Sequence, residues 1–189
     1  MERRIRPWRI EDAPALAAAL NNQRVQDNLR DGLPYPYTES DARDFIWAML
    51  HADKHTVFAF AITADDRAVG GIGIFRQENI HARTAEMGYY IAEPFWGRGL
   101  GTEAVQQANR WIFENTDIFA EPFAHNLASC RVLEKSGFVC EGTLRSNAVK
   151  NGRVLDMKMY ARVKDGDCPT RQEEQEIRLK ISGGTAGNS

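Results

Sequence analysis

Hydrophobic and polar positions along this chain change period several times, and each change marks an element. Near the end, Leu155, Met157, Met159, Ala161 and Val163 alternate with Asp156, Lys158, Tyr160 and Arg162, the period-two pattern of a strand with two different faces. Three earlier segments, Val57 to Thr63, Ala68 to Gln77 and Thr84 to Ile91, also read as extended, and Asp65-Asp66 joins the first two as a tight turn. They predict a meander of antiparallel strands at the centre of a sheet. Arg3 to Trp8 reads as a further short strand, and Ile118 to Ala124 as another.

Helical spacing appears between these runs. Ile10-Glu11-Asp12-Ala13-Pro14 opens a helix that continues to Leu20, with acids and proline in its first turn. The prolines of GLPYPY at 32–37 forbid a helix there, because each lacks a donor and restricts its predecessor. Thr38 and Asp41 then form a capping pair for a helix with Phe45, Ile46, Met49 and Leu50 on one face. Ala104, Val105, Ala108, Trp111 and Ile112 define another helix, which makes a strand, loop, helix, strand unit whose strands run parallel. Leu127 to Lys135 is a short helix closed at Ser136-Gly137; Phe138 restarts a strand, and Lys150 to Arg153 is the turn before the final one. From Asp165 the chain is polar, with a helical piece around Ile177 to Ile181 and an end in GGTAGNS. The expected organisation is one domain over 1–164 and a tail over 165–189.

Composition narrows the function. Of 189 residues 43% are apolar and 26% charged, the balance of an ordinary globular domain, and the net charge of −2 supplies no basic field for nucleic acid or an anionic membrane. The longest apolar run, VFAFAI at 57–62, is too short to cross a bilayer, and MERRIRPW leads into no signal-like stretch, so the cytoplasm is the expected location. Cys130, Cys140 and Cys168 make no CxxC pair or disulfide framework, and four scattered histidines make no zinc signature.

The chemistry begins at WGRGLG, 96–101. A Walker loop needs a lysine followed by serine or threonine, and a dinucleotide fingerprint needs a third glycine where this chain has Thr102. Neither fits. What remains is either a tight strand-to-helix turn or a cradle in which the N–H groups of Gly97, Arg98, Gly99, Leu100, Gly101 and Thr102 meet an anion at a helix N-terminus, with Arg98 adding charge. By position alone Asn126 reads as a helix N-cap, and Ser129 as a hydroxyl bonded within the first turn. Glu86 interrupts an apolar strand on the face of Gly88 and Tyr90; it is either a base of raised pKa or the partner of an arginine such as Arg76 or Arg83.

Taken together, GYYIAEPFWGRGLGTEA, HNLASCRVLEKSGF, the Glu141-Gly142 pair and GLPYPYTESDARDFI resemble the GNAT superfamily of acyl-CoA-dependent N-acyltransferases, in its RimJ/RimL-like branch, over about residues 3–164. The resemblance implies an α+β fold, a mixed and mostly antiparallel sheet with one splayed parallel pair, flanked by helices. It implies that acetyl-CoA lays its pantetheine along Tyr90, Ile91 and Ala92, with pyrophosphate on Gly97 to Thr102, and that an N–H near Tyr90 or Ile91 faces the oxyanion. It further implies that Asn126 bonds the pantetheine, that Ser129 protonates the leaving thiolate, and that Tyr35 and Tyr37 with residues 145–153 shape the amine acceptor's pocket; it admits a homodimer. Three positions depart from the wider pattern: Trp96 opens the loop, Leu133 stands where many members carry a tyrosine, and Ala148 where some carry a second acid. The reading is an N-acetyltransferase acting on a protein N-terminal α-amine or a small amine; its rivals are a non-catalytic acyl-CoA-binding module on the same fold and a polyamine or antibiotic acetyltransferase.

Overall fold

The computed structural model describes residues 2–112 and 116–164. The expected tail lies outside them. Seven strands form one sheet in the order β1-β2-β3-β4-β5-β7-β6. The strands are β1 (Arg3–Pro7), β2 (Val57–Ala64), β3 (Arg67–Arg76), β4 (Thr84–Ile91), β5 (Asp117–Ala120), β6 (Val139–Lys150) and β7 (Arg153–Arg162). All neighbours are antiparallel except β4 and β5. The helices are α1 (Ala13–Leu20), α2 (Gln23–Gln26), α3 (Glu39–His51), α4 (Leu100–Ile112) and α5 (Leu127–Lys135).

Local chemistry explains much of this. Asp65 and Asp66 both take positive φ, the geometry of the two-residue turn that joins β2 to β3, and Asn151 and Gly152 do the same between β6 and β7. Thr38 and Asp41 close a reciprocal capping box on α3, with Thr38 N donating to Asp41 Oδ2 at 2.8 Å. Ile10–Asp12 is a 3-10 turn ahead of α1 rather than its first turn, and Leu50, expected on the buried face of α3, is exposed near the helix end.

Each sheet face buries its own cluster. On one, Ile5, Ile62, Ile72, Ile74, Ala85 and Met87 pack against α4 and α5 through Leu100, Val105, Ala108, Cys130 and Leu133. On the other, Trp8, Ala61 and Ala68 pack against α1 and α3 through Leu16, Leu20, Ala42 and Ile46, and Trp8 meets Phe45 edge to face at 6.1 Å. At roughly 25 cal/mol per Å2 of apolar surface, these two layers supply most of the driving force for the fold.

The detail that positions the site is a strand that stops early. β5 was expected to reach Ala124 and ends at Ala120. Pro122 has no N–H to continue a ladder with β4, and the chain turns instead to β7, with Lys158 N donating to Pro122 O and Ala124 N to Asp156 O, both at 2.9 Å. β4 therefore pairs with β5 only at Thr84, Ala85 and Glu86, and runs on to Ile91 with that side open.

Candidate active site

The open side of β4 can be read from its register. Gly70 lies opposite Ile91, Gly71 opposite Tyr90 and Gly73 opposite Gly88, while Ala92 N donates to Val69 O at 2.8 Å. In an antiparallel pair successive residues point their N–H and C=O alternately toward and away from the neighbour. Ala92, Tyr90 and Gly88 thus face β3, and Met87, Tyr89 and Ile91 present their backbone to the splay. This corrects the expectation for Tyr90 and Ala92: of the three residues 90–92, Ile91 alone offers backbone groups there. Its carbonyl already accepts the Trp96 indole N–H at 2.7 Å, which is how Trp96 serves at the head of the loop.

A cleft of about 620 Å3 runs through the splay from Arg30, Phe75 and Glu86 at one end to Gly97–Thr102 at the other. At the loop end, Gly97 and Gly99 take φ of 72° and 79°, where an L side chain is strained, and α4 begins at Leu100. The first N–H groups of a helix have no carbonyl one turn back, so they and the dipole favour an anion. The Leu100 side chain is buried in the core, and a Cβ on Gly101 would lie 3.4 Å from Val132, so this glycine serves the α4–α5 contact. Arg98 stacks over the Phe95 ring at 5.3 Å on the cleft wall.

In the middle of the cleft, Asn126 Oδ1 accepts from Ser129 N at 3.1 Å, capping α5. The Ser129 hydroxyl lies 2.8 Å from the Tyr89 hydroxyl, which also reaches the Ser129 carbonyl at 3.1 Å. Burial raises the Tyr89 pKa well above the ordinary phenol value, so this hydroxyl stays protonated. Tyr89 was not singled out in the sequence, where Leu133 marked the absence of a tyrosine on α5. Leu133 is fully buried, and the phenol beside Ser129 comes from β4. The alternation of β4 next to Ser129 was the only signal that could have found it.

The opposite side of β4 is different. Glu86 is half-buried and its partner is Arg30, not Arg76 or Arg83: Arg30 Nη1 donates to Glu86 Oε2 at 3.3 Å, while Nη2 contacts the other Glu86 oxygen and Glu121 Oε2, the latter at 3.3 Å. Burial raises the Glu86 pKa, Arg30 opposes the rise, and Glu121 adds to it. At Gly88, on the same face, an added Cβ would meet nothing within 4 Å, and the Phe75 ring folds over Gly73 beside it, where a Cβ would lie 2.8 Å away. Open space therefore adjoins Glu86.

The tyrosines expected at an acceptor pocket do not line this cleft. Tyr37 is 4% exposed, part of the cluster under α1 and α3, and burial pushes its hydroxyl up to about 12; Tyr35 is 60% exposed on the surface. The 145–153 segment forms the β6–β7 hairpin end, where Lys150 Nζ donates to Asp31 Oδ1 at 2.6 Å and Asn151 Nδ2 to Asp27 Oδ1 at 2.8 Å. Among the described residues no helix is long and apolar enough to cross a membrane, and no group of His, Cys, Asp and Glu is arranged to hold a metal ion.

Comparison with known proteins agrees with this architecture. Residues 3–139 match the family model described as acetyltransferase (GNAT) domain. The chain is 33% identical over 115 residues to "Probable N-acetyltransferase YjcK" of Bacillus subtilis, a match spanning 59% of this chain and 64% of that protein. It is 28% identical to the ribosomal-protein-serine acetyltransferase of Escherichia coli, over 72% of this chain and 80% of the other. RimL, a ribosomal L7/L12 α-N-protein acetyltransferase solved in complex with coenzyme A, has the same fold, with a TM-score of 0.75 at 23% identity over 86% of this chain and 94% of that one. The chain thus belongs to the GNAT family of acetyltransferases, enzymes that take their acetyl group from acetyl-CoA, and RimJ/RimL-type proteins are among its structural neighbours.

Proposed function

We propose that this enzyme transfers the acetyl group of acetyl-CoA directly to a primary amine, and that the two reactants meet through the splay from opposite faces of the sheet. The observation that carries the reading is the division of β4: Tyr89 faces Ser129 on one side, while Glu86 and the open space at Gly88 lie on the other.

The residues present fit the donor. The positive-φ glycines and the start of α4 would take the pyrophosphate, with Arg98 close by. The amide-bearing arm would add to β4 like a strand, through the Tyr89 carbonyl and the Ile91 N–H. Trp96 caps the Ile91 carbonyl, which limits the register available to the arm. Asn126, whose Oδ1 is committed to the cap, has its amide N–H groups left for the arm. A splay-facing N–H of β4 would meet the thioester oxygen as negative charge develops on it. The bound cosubstrate supplies the activated acyl group and the thiolate leaving group.

Proton movement then falls to two groups. Glu86, its pKa raised by burial, accepts a proton from the ammonium; the nitrogen's second proton, released as the amide forms and the C–S bond breaks, ends on the thiolate, to which Ser129 donates a hydrogen bond while the Tyr89 hydroxyl bonds the serine oxygen. The acceptor is a protein N-terminal α-amine in preference to a lysine, because an α-amine of pKa ~8 is deprotonated far more readily than one of ~10.4. The ribosomal acceptors of the relatives named above support that class. The cytoplasm, where acetyl-CoA and nascent N-termini coexist, suits this reaction.

Thermal unfolding with acetyl-CoA, and with NAD and ATP as controls, tests the donor assignment. Saturation at a hundred times Kd adds roughly 2.7 kcal/mol, a rise of several degrees for a domain of this size. A rise with acetyl-CoA alone is expected, followed by turnover on peptides with a free N-terminus. No rise, or binding without turnover across a broad amine panel, overturns the proposal in favour of a different ligand or a non-catalytic module.

A further inference from the structure

Glu86 and Glu121 come from two different strands and converge where β4 and β5 stop pairing. Glu86 opposes Phe119 in the last paired position, and Glu121 follows β5 directly. Their side chains are 23% and 19% exposed, so two carboxylates share a partly dehydrated place that calls for a cation. The chain supplies it from elsewhere: Arg30, in the connection between α2 and α3, bridges both acids with a side chain that is 62% exposed. Resting on the transferase reading above, we propose that Arg30 is a displaceable latch, its guanidinium holding the place that the acceptor's ammonium takes between Glu86 and Glu121.

Three features make displacement easy. The Nη1–Glu86 Oε2 and Nη2–Glu121 bonds are long, at 3.3 Å, and leave the close Nη2 contact to the other Glu86 oxygen as the main hold, while an ion pair with a well-exposed arginine contributes little net stability. The backbone around Arg30 is anchored independently, by Lys150 to Asp31 and Asn151 to Asp27, so the side chain can swing without unfolding its segment. Beside Glu86 the missing side chain of Gly88 leaves room for the group that replaces the guanidinium. A compact ammonium with three rotatable donors suits two divergent carboxylates better than a planar fork does.

The same arrangement defines the acceptor class. An amine bearing a carboxylate on the adjacent carbon would bring a third negative charge against Glu86 and Glu121, so the site takes amines lacking one, such as a peptide N-terminus, and rejects free amino acids. Displacement also frees Glu86 for its proton. The charged groups facing it are Arg30 and Glu121, and loss of Arg30 removes the influence that lowers its pKa.

The test is an equilibrium titration of the CoA-bound protein with alaninamide and with alanine, in wild type and in the Arg30→Gln, Arg30→Lys and Glu121→Gln variants. Arg30→Gln should tighten alaninamide by roughly 2- to 5-fold, the scale of an exposed ion pair, Arg30→Lys should return it toward wild type, and Glu121→Gln should weaken it. With any peptide that is turned over, Arg30→Gln should also move the acid limb of kcat/KM to higher pH. Unchanged or weaker alaninamide binding in Arg30→Gln, or tighter binding of alanine than alaninamide in wild type, overturns the latch and makes Arg30 a structural pair or a carboxylate receptor. Those results leave acetyl-CoA protection against unfolding intact, whereas failure of the transferase reading removes that protection from wild type.

Discussion

The two ends of the cleft are built from different materials. The end proposed for the donor is backbone: two positive-φ glycines, the start of α4 and the open edge of β4, most of it within residues 87–102. The end proposed for the acceptor is side chains: Arg30, Phe75, Glu86 and Glu121, drawn from four separate segments. A backbone cradle tolerates most side-chain changes and fails when its φ angles are forbidden, whereas a side-chain site fails one residue at a time. One end can therefore serve a common cosubstrate in many enzymes while the other is free to change its amine.

That contrast is open to attack by mutation, and the largest effect is expected at the acceptor end. Glu86→Gln should lower kcat/KM by about 10²- to 10⁴-fold, the usual span for a positioned base, with acetyl-CoA affinity unchanged. A loss below a few-fold would reduce Glu86 to an ion-pair partner. In the wild type the acid limb should lie above the ordinary carboxylate pKa of ~4.3, since burial raises Glu86 and the base form exists only above its pKa.

Next comes Ser129→Ala, with a fall in kcat of around 10²-fold. The Tyr89→Phe/Ser129→Ala double variant should lose little more than Ser129→Ala alone, because the two hydroxyls act as one unit. Additive losses would separate their roles, and an unchanged kcat in Ser129→Ala would remove serine from the proton path.

A pair of glycine changes sharpens the comparison directly. Gly97→Ala forces a side chain into a left-handed conformation at about 1–2 kcal/mol, and should weaken acetyl-CoA by roughly 5- to 30-fold. Gly88→Val fills open space on a strand, where valine is well accommodated, and should raise only the acceptor KM. Steady-state kinetics with each substrate varied in turn reads both; crossed effects would mean that the two ends are not separate.

The smallest effect lies outside the cleft. Asp66 accepts from Arg4, Arg6 and Arg9, and these bonds, that of Arg4 first, hold its carboxyl well below the usual range. A depressed pKa contributes stability above the unfolded value of ~3.9, and that stability is lost as pH falls through the folded value. Asp66→Asn should thus lower the unfolding midpoint slightly and evenly from pH 5 to 8, with the deficit vanishing in strong acid and catalysis untouched.

The sequence by itself determined most of the elements and the glycine loop. The extended runs of β3 and β4, the period-two run of β7, the Asp65-Asp66 and Asn151-Gly152 turns, the Thr38–Asp41 cap and the glycine loop are local matters, settled by conformational preference within a few residues. Only tertiary structure decided where β5 stops, which β4 residues turn their backbone to the splay, that Tyr37 belongs to the core, and that Tyr89 meets Ser129. Those outcomes depend on register and on partners far apart in the chain. Arg30 and Glu121, 91 positions apart, show it most clearly: neither belongs to a motif, and only the sheet's order brings both to Glu86.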